Sequence, residues 1–191
     1  LKEDEYSPIA FVSRSGLKLY HALKEFEIDV SGKKCLDAGA STGGFTECLL
    51  KNGALKVCAV DVGRGQLYHT LQNDVRVENI EGTDIREYDT EEMFEFICAD
   101  LSFISLNKIF LSLRKLCAVG ADIVVLIKPQ FEAGKGKAKK GVIKNETTIK
   151  KALESVLSGA KENGFKIIKV IDSPILGTEG NKEFLAYMKC V

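Results

Sequence analysis

Apolar positions in this chain switch between helical and extended spacing in a regular alternation. Leu19, Ala22, Leu23 and Phe26 recur at helical intervals, and Ser13 is placed to cap the helix that carries them. Residues 33–37 then form a short strand running into a glycine-rich turn, and a helix follows from near Gly43 to its stop at Gly53. Strand signals recur at 56–61, 75–80 and 94–100, with a short helical piece near 66–72. Leu106, Ile109, Phe110, Leu113 and Cys117 share one face of another helix. The segment 122–128 is so apolar that it must be covered on both faces. Asn145 caps a helix striped by Ile149, Ala152, Leu153, Val156, Leu157 and Ala160, with Gly164 as its stop. Two closing strands, 166–171 and about 183–190, are joined by Ser173–Asn181, which is too short for a crossover helix. The last strand must therefore run antiparallel to its neighbour. The pattern predicts one α/β domain: a mostly parallel, seven-stranded sheet with one antiparallel strand and helices on both faces.

Composition agrees and adds limits. The chain has 191 residues, 45% of them hydrophobic, which is enough for one sizeable core. Twenty-seven Lys and Arg balance 27 Asp and Glu, so overall charge gives no argument for nucleic acid. The longest aliphatic run, Ile123–Ile127, falls far short of the roughly 20 residues a membrane helix needs. The N-terminus is acidic rather than basic then apolar, unlike a signal peptide. Cys35, Cys48, Cys58, Cys98, Cys117 and Cys190 include no Cys-x-x-Cys pair, and most sit in apolar segments. They read as buried, reduced thiols of a cytoplasmic protein, with no metal site.

Ligands of such sheets bind at the carboxyl ends of the strands. The first of these ends reads Asp37-Ala-Gly39-Ala40-Ser41-Thr42-Gly43-Gly44-Phe45, a G-x-x-x-G-G spacing unlike the G-x-G-x-x-G of dinucleotide binders. Asp61 ends the second strand, where it can accept from ribose hydroxyls, and Asp84 follows the third, where it can take an adenine amino group. Val62 and Ile85 flank them. The combination favours S-adenosylmethionine over NAD, against the plainer reading that Asp37 and Asp61 are turn and cap residues. Asp100 and Lys128 end the fourth and fifth strands, and the reversed last strand returns Glu183 to the same edge. Lys18 on the leading helix can reach over that edge. The plainer reading of this second set is a pair of structural ion pairs.

Six ordered motifs then carry a resemblance. Ser13-Arg-Ser-Gly-Leu-Lys18-Leu, Asp37 to Thr46, Asp61-Val-Gly-Arg-Gly-Gln-Leu67, Asp100-Leu-Ser-Phe-Ile-Ser105, Lys128-Pro-Gln-Phe-Glu-Ala-Gly134 and Ser173 to Phe184 together resemble the haemolysin A (TlyA) family, related to FtsJ-type ribosomal RNA methyltransferases. The similarity runs from about residue 11 to the C-terminus. It implies a Rossmann-like S-adenosylmethionine-dependent methyltransferase fold and a Lys-Asp-Lys-Glu tetrad, Lys18, Asp100, Lys128 and Glu183, that methylates a ribose 2′-hydroxyl. The implied substrate is cytidine in ribosomal RNA, met free or within ribosomal subunits. Members commonly carry an RNA-binding module ahead of this domain, so residues 1–12 read as a tail or linker and 13–191 as the methyltransferase domain. Ser15, Glu47 and Asp84 stand where the family more often has Gly, Asp and Asn.

Arg14 and the loop lysines Lys135, Lys137, Lys139, Lys140 and Lys144 are the candidate RNA contacts, weighed against a simple solvated loop. Charge is in fact uneven: residues 78–100 hold nine acids and one base, whereas 133–152 hold seven lysines and one acid. Three rival readings stay open at this point. They are a membrane-active haemolysin, an NAD-dependent oxidoreductase, and an RNA-binding protein with a methyltransferase fold and no catalysis.

Overall fold

The computed structural model describes residues 10–134 and 141–191. Its seven strands are β1 (Lys34–Ala38), β2 (Lys56–Asp61), β3 (Val77–Glu81), β4 (Phe94–Ala99), β5 (Cys117–Ile127), β6 (Phe165–Asp172) and β7 (Phe184–Cys190). They form one sheet in the order β3-β2-β1-β4-β5-β7-β6. Only β7 is reversed, running antiparallel to both β5 and β6. The short link before β7 forces this reversal.

The apolar run in β5 is buried on both faces, and its alternation sorts the core into two layers. Ile123, Val125 and Ile127 pack with Phe110, Leu113, Val156 and Phe165, under α4 (Phe110–Leu116) and α6 (Glu146–Glu162). Val124 and Leu126 pack with Leu19, Phe45 and Leu49, under α1 (Ser15–Glu25) and α2 (Gly44–Lys51). Asn145 caps α6 as expected, its side chain accepting from the Thr148 N–H at 2.9 Å. All six cysteines are buried and free.

Four local expectations are corrected. Ser13 does not cap α1: Arg14 holds the N-cap position without a side-chain bond, and the Ser13 hydroxyl pairs with that of Ser15 at 2.6 Å. The helix expected to include Cys117 stops at Leu116, because Cys117 pairs with Phe94 and opens β5. Gly120, at φ +77°, lets that strand bend past the register shift between Phe94 and Phe96. Val75 is fully exposed, and β3 starts two residues later, because the Asp74 carboxylate accepts the Arg76 N–H in a local turn. The helical piece near 66–72 shrinks to α3 (His69–Gln72), while the unexpected α5 (Pro129–Glu132) follows β5 directly.

Candidate active site

Parallel strands β1, β2, β4 and β5 end on one edge, and the start of β7 returns there. Two cavities open along it. The larger, about 610 Å³, includes Gly39, Ser41, Asp61, Val62, Asp84, Ile85 and Asp100 in its lining, in the size range of small-ligand pockets. The smaller, about 320 Å³, holds Lys18, Asp100, Lys128 and Glu183, with Arg14, Ala40, Thr42 and Phe45 around them. Gly39, Ser41, Asp100 and Ser102 line both, so the cavities adjoin there.

The larger cavity is shaped by the turn after β1. Gly39 has φ +88°, and a Cβ there would lie 2.6 Å from the Asp100 carbonyl oxygen, so only glycine lets β1 and β4 end this close together. Asp61 accepts the Ser41 N–H at 2.9 Å through Oδ2 and the Gly63 N–H at 2.7 Å through Oδ1. Each oxygen retains a lone pair for a ligand hydroxyl. Asp84 is held by Arg86: Oδ1 takes the backbone and Nε hydrogens and Oδ2 the Nη2 hydrogen. The Arg86 guanidinium keeps the Asp84 carboxyl below its ordinary value, and the remaining acceptor position lies on Oδ2.

Two ion pairs occupy the smaller cavity. Lys18 Nζ donates to Glu183 Oε2 at 2.6 Å, with both residues buried. Gly177 makes room for this carboxylate: a Cβ there would lie 2.0 Å from Glu183 Oε1. Lys128 Nζ lies 2.6 Å from Asp100 Oδ1 and donates to Ser102 Oγ at 3.0 Å. Asp100 Oδ1 is enclosed yet takes no aligned hydrogen bond, so its contact with Lys128 is one of charge rather than of direction.

Three residues singled out in the glycine turn line neither cavity. Asp37 is fully buried, and its Oδ2 accepts from Thr46 Oγ1 at 2.7 Å. Gly43 leaves space for Leu71 and Leu67, and Gly44 for the hydroxyls of Ser13 and Ser15, so both glycines serve close packing of the turn. Arg14 is exposed at the rim of the smaller cavity and Lys144 is exposed beyond α5, while Lys135, Lys137, Lys139 and Lys140 lie outside the described residues. The tail at 1–9 also lies outside them.

Several contributors were not singled out as site residues, although all but Glu81 lie inside the six ordered motifs. Gln66 and Phe103 line the larger cavity, and Ile175 and Leu176 the smaller. Glu81 accepts the N–H groups of Gly65, Gln66 and Leu67, fixing the loop that carries Gln66; those bonds, led by that of Leu67, lower its carboxyl. Asn181 donates to the Gly141 carbonyl and accepts the Ile143 N–H two residues before Glu183.

Burial pushes the Asp37 carboxyl from 3.8 up to about 7, against the Thr46 hydrogen bond and with the Asp100 charge adding to the rise. Below about pH 4 Asp37 is neutral folded or unfolded, and costs nothing. Between there and about pH 7 the unfolded chain releases the proton first, so stability falls as pH rises and then levels. Asp37→Asn removes this dependence while keeping an acceptor for Thr46. At about 1.4 kcal/mol per pKa unit, the variant should gain a few kcal/mol on the parent between pH 4 and 7, read by urea unfolding across pH. Parallel stability curves would show that Asp37 is charged in the folded chain.

Residues 11–190 match the model of the FtsJ-like methyltransferase family. The chain belongs to that family. It is 46% identical to "Hemolysin A" of Brachyspira hyodysenteriae over 184 residues, covering 94% of this chain and 77% of that protein. It is 44% identical to the "16S/23S rRNA (cytidine-2'-O)-methyltransferase TlyA" of Mycobacterium tuberculosis, covering 94% of this chain and 69% of that protein. A solved Streptococcus thermophilus structure described as a candidate hemolysin superimposes with a TM-score of 0.93 at 42% identity, over 96% of this chain and 68% of that one. Membership accounts for the sheet order with its single reversed strand: this FtsJ-like domain has the Rossmann-like methyltransferase fold.

Proposed function

We propose that this FtsJ-like methyltransferase transfers a methyl group from S-adenosylmethionine to the 2′-hydroxyl of a cytidine in ribosomal RNA. The observation that carries the reading is the junction of the two cavities at Gly39, Ser41, Asp100 and Ser102, with two Lys–carboxylate pairs on the acceptor side. The larger cavity fits the donor: Gly39 gives close backbone approach, Asp61 has acceptor capacity for ribose hydroxyls, and Asp84 Oδ2 for an adenine amino group. When bound, S-adenosylmethionine supplies an electrophilic sulfonium methyl.

The protein's part is alignment and proton management. For the hydroxyl oxygen to take a methyl group, its proton would have to pass to the Lys128 side chain or to water. Lys128 Nζ, held by Asp100 and Ser102, is the group assigned to the hydroxyl, while the Lys18–Glu183 pair lines the same cavity. Holding acceptor and donor in line supplies much of the rate on its own. Arg14, Lys144 and the lysines between 135 and 140 supply the positive charge for RNA phosphates. The setting is the cytoplasm, with ribosomal subunits or free ribosomal RNA as partners. Among the described residues no helix is long and apolar enough to cross a membrane, so the hemolysin names of relatives find no such element here.

Incubation with ribosomal subunits and methyl-labelled S-adenosylmethionine, followed by nuclease digestion, tests the reading. The label should appear in 2′-O-methylcytidine, and S-adenosylmethionine but not NAD should raise the melting temperature. Label on a base, or stabilisation by NAD alone, would overturn it.

A further inference from the structure

Two segments, Asp100 to Leu106 and Lys128 to Glu132, form a single device. They are stitched together at three points in matching order. Lys128 meets Asp100 and Ser102 at one end. The rings of Phe131 and Phe103 lie 5.0 Å apart in the middle. At the far end Glu132 Oε2 accepts the Ser105 hydroxyl at 2.6 Å, and Oε1 accepts the Leu106 N–H at 2.9 Å. Between the first and last stitches the exposed Phe103 sits at φ +64°, a backbone conformation uncommon for a residue with a bulky side chain.

Glu132 is half-buried and is not a member of the tetrad. Burial pushes its carboxyl up, and the Leu106 N–H and the Ser105 hydroxyl oppose that rise. Its two bonds close the first turn of the 3-10 segment Leu106–Lys108, whose start would otherwise leave a buried N–H unpaired. Lys128 and Asp100 stand at the ends of two different strands. The ion pair between them lacks an aligned hydrogen bond, so charge alone does not fix their relative direction. The Lys128–Ser102 hydrogen bond gives one directional tie, and the far stitch adds a second by holding α5 against the chain that follows β4.

We propose that Glu132 is a positioning residue for methyl transfer: its paired hydrogen bonds to Ser105 and Leu106 lock the Lys128 segment in register with the Asp100 segment. The inference rests on the assignment of Lys128 to the acceptor hydroxyl. It concerns the hydrogen bonds of Glu132 and not its charge, which makes the two separable. Glutamine keeps both bonds, because its carbonyl accepts from Leu106 and its amide donates to a serine hydroxyl that can accept as well as donate. Alanine keeps neither.

Single-turnover methylation of ribosomal RNA, with S-adenosylmethionine affinity measured by calorimetry, is the test. Glu132→Ala should lower the transfer rate about 10–100-fold, the scale of a slight misplacement of reacting groups. Glu132→Gln should stay near the parent rate, and Ser105→Ala, which removes the bond to Glu132 together with the cap that the Ser105 hydroxyl gives the Asn107 N–H, should fall between. Affinity for S-adenosylmethionine should be unchanged in all three. A Glu132→Gln variant as slow as Glu132→Ala would assign the role to charge and overturn the inference, as would parent-like rates in both Glu132→Ala and Ser105→Ala. Lys128→Ala run alongside separates the two claims. Full activity there removes the reading of Lys128 itself, whereas an inactive Lys128→Ala beside a fully active Glu132→Ala removes only the role of Glu132.

Discussion

Lys128→Ala should lower the rate of methyl transfer by about 10²–10⁴-fold, the usual contribution of a positioned proton-handling group, with S-adenosylmethionine affinity nearly unchanged. The separation follows from where Lys128 stands. It lines the acceptor cavity and not the larger one, and its contacts are Asp100 and Ser102 rather than the Gly39 turn or Asp61. Its loss removes the group assigned to the reacting hydroxyl and leaves Gly39, Asp61 and Asp84, assigned to the donor, in place. Calorimetry and single-turnover kinetics on the same preparation read the two effects separately. Weak donor binding in the variant, or unimpaired transfer, would contradict the assignment. Lys128→Arg then divides the role. A guanidinium stays protonated and can donate to the hydroxyl oxygen, but it cannot take up the proton. Residual transfer in that variant marks Lys128 as a donor that orients the sugar, and its absence marks an acceptor of the proton.

Much of this site is visible in the sequence because a parallel sheet collects its carboxyl ends on one edge. Asp100, Lys128 and Glu183 follow from strand order and the reversal of β7 alone. Lys18 does not. It lies beside Leu19 inside α1 and is buried almost as deeply as the apolar stripe, so helical periodicity gives no hint that its ammonium reaches a carboxylate 165 residues away. Its place beside the other three depends more on the resemblance than on strand order. The glycine turn shows the opposite limit, where neighbours in sequence face different ways. Strand alternation turns Asp37 under α2 towards Thr46, while the backbone at Gly39, two residues on, opens to the cavity. A linear motif cannot separate these roles.

Short elements were the least legible. A four-residue helix such as α5 completes too little of a period to register, and its position is set by Pro129 and by the bonds of Glu132. The start of β5 was hidden for a related reason: Leu113, Leu116 and Cys117 suit a helix face, and only pairing with Phe94 draws Cys117 into the sheet. Ser13 has the right chemistry for a cap, but its hydroxyl is taken by Ser15 in the tight space above Gly44. For α5 and β5 a contact distant in sequence overrode a sound local preference, whereas for Ser13 a neighbour two residues away did so.

Lys18→Met should be the most destabilising change in the acceptor cavity. It leaves Glu183, 4% exposed, as an enclosed carboxylate without its cation, a defect that costs about 3–5 kcal/mol where one member of a buried pair is removed. Chemical unfolding reads the loss, and methyl transfer should fall with it. Stability and chemistry are entangled in that single change, because a chain that unfolds also stops catalysing. The double variant Lys18→Met/Glu183→Leu disentangles them. Apolar side chains of similar bulk replace a buried ion pair at little or no cost, so unfolding stability should return to within about 1–2 kcal/mol of the parent. Methyl transfer should not return, because the cavity that holds Lys128 and Asp100 has lost the Lys18 and Glu183 charges. A double variant that recovered stability and transfer together would mean that the Lys18–Glu183 pair serves the fold alone, and that the acceptor chemistry belongs to Lys128 and Asp100 without it.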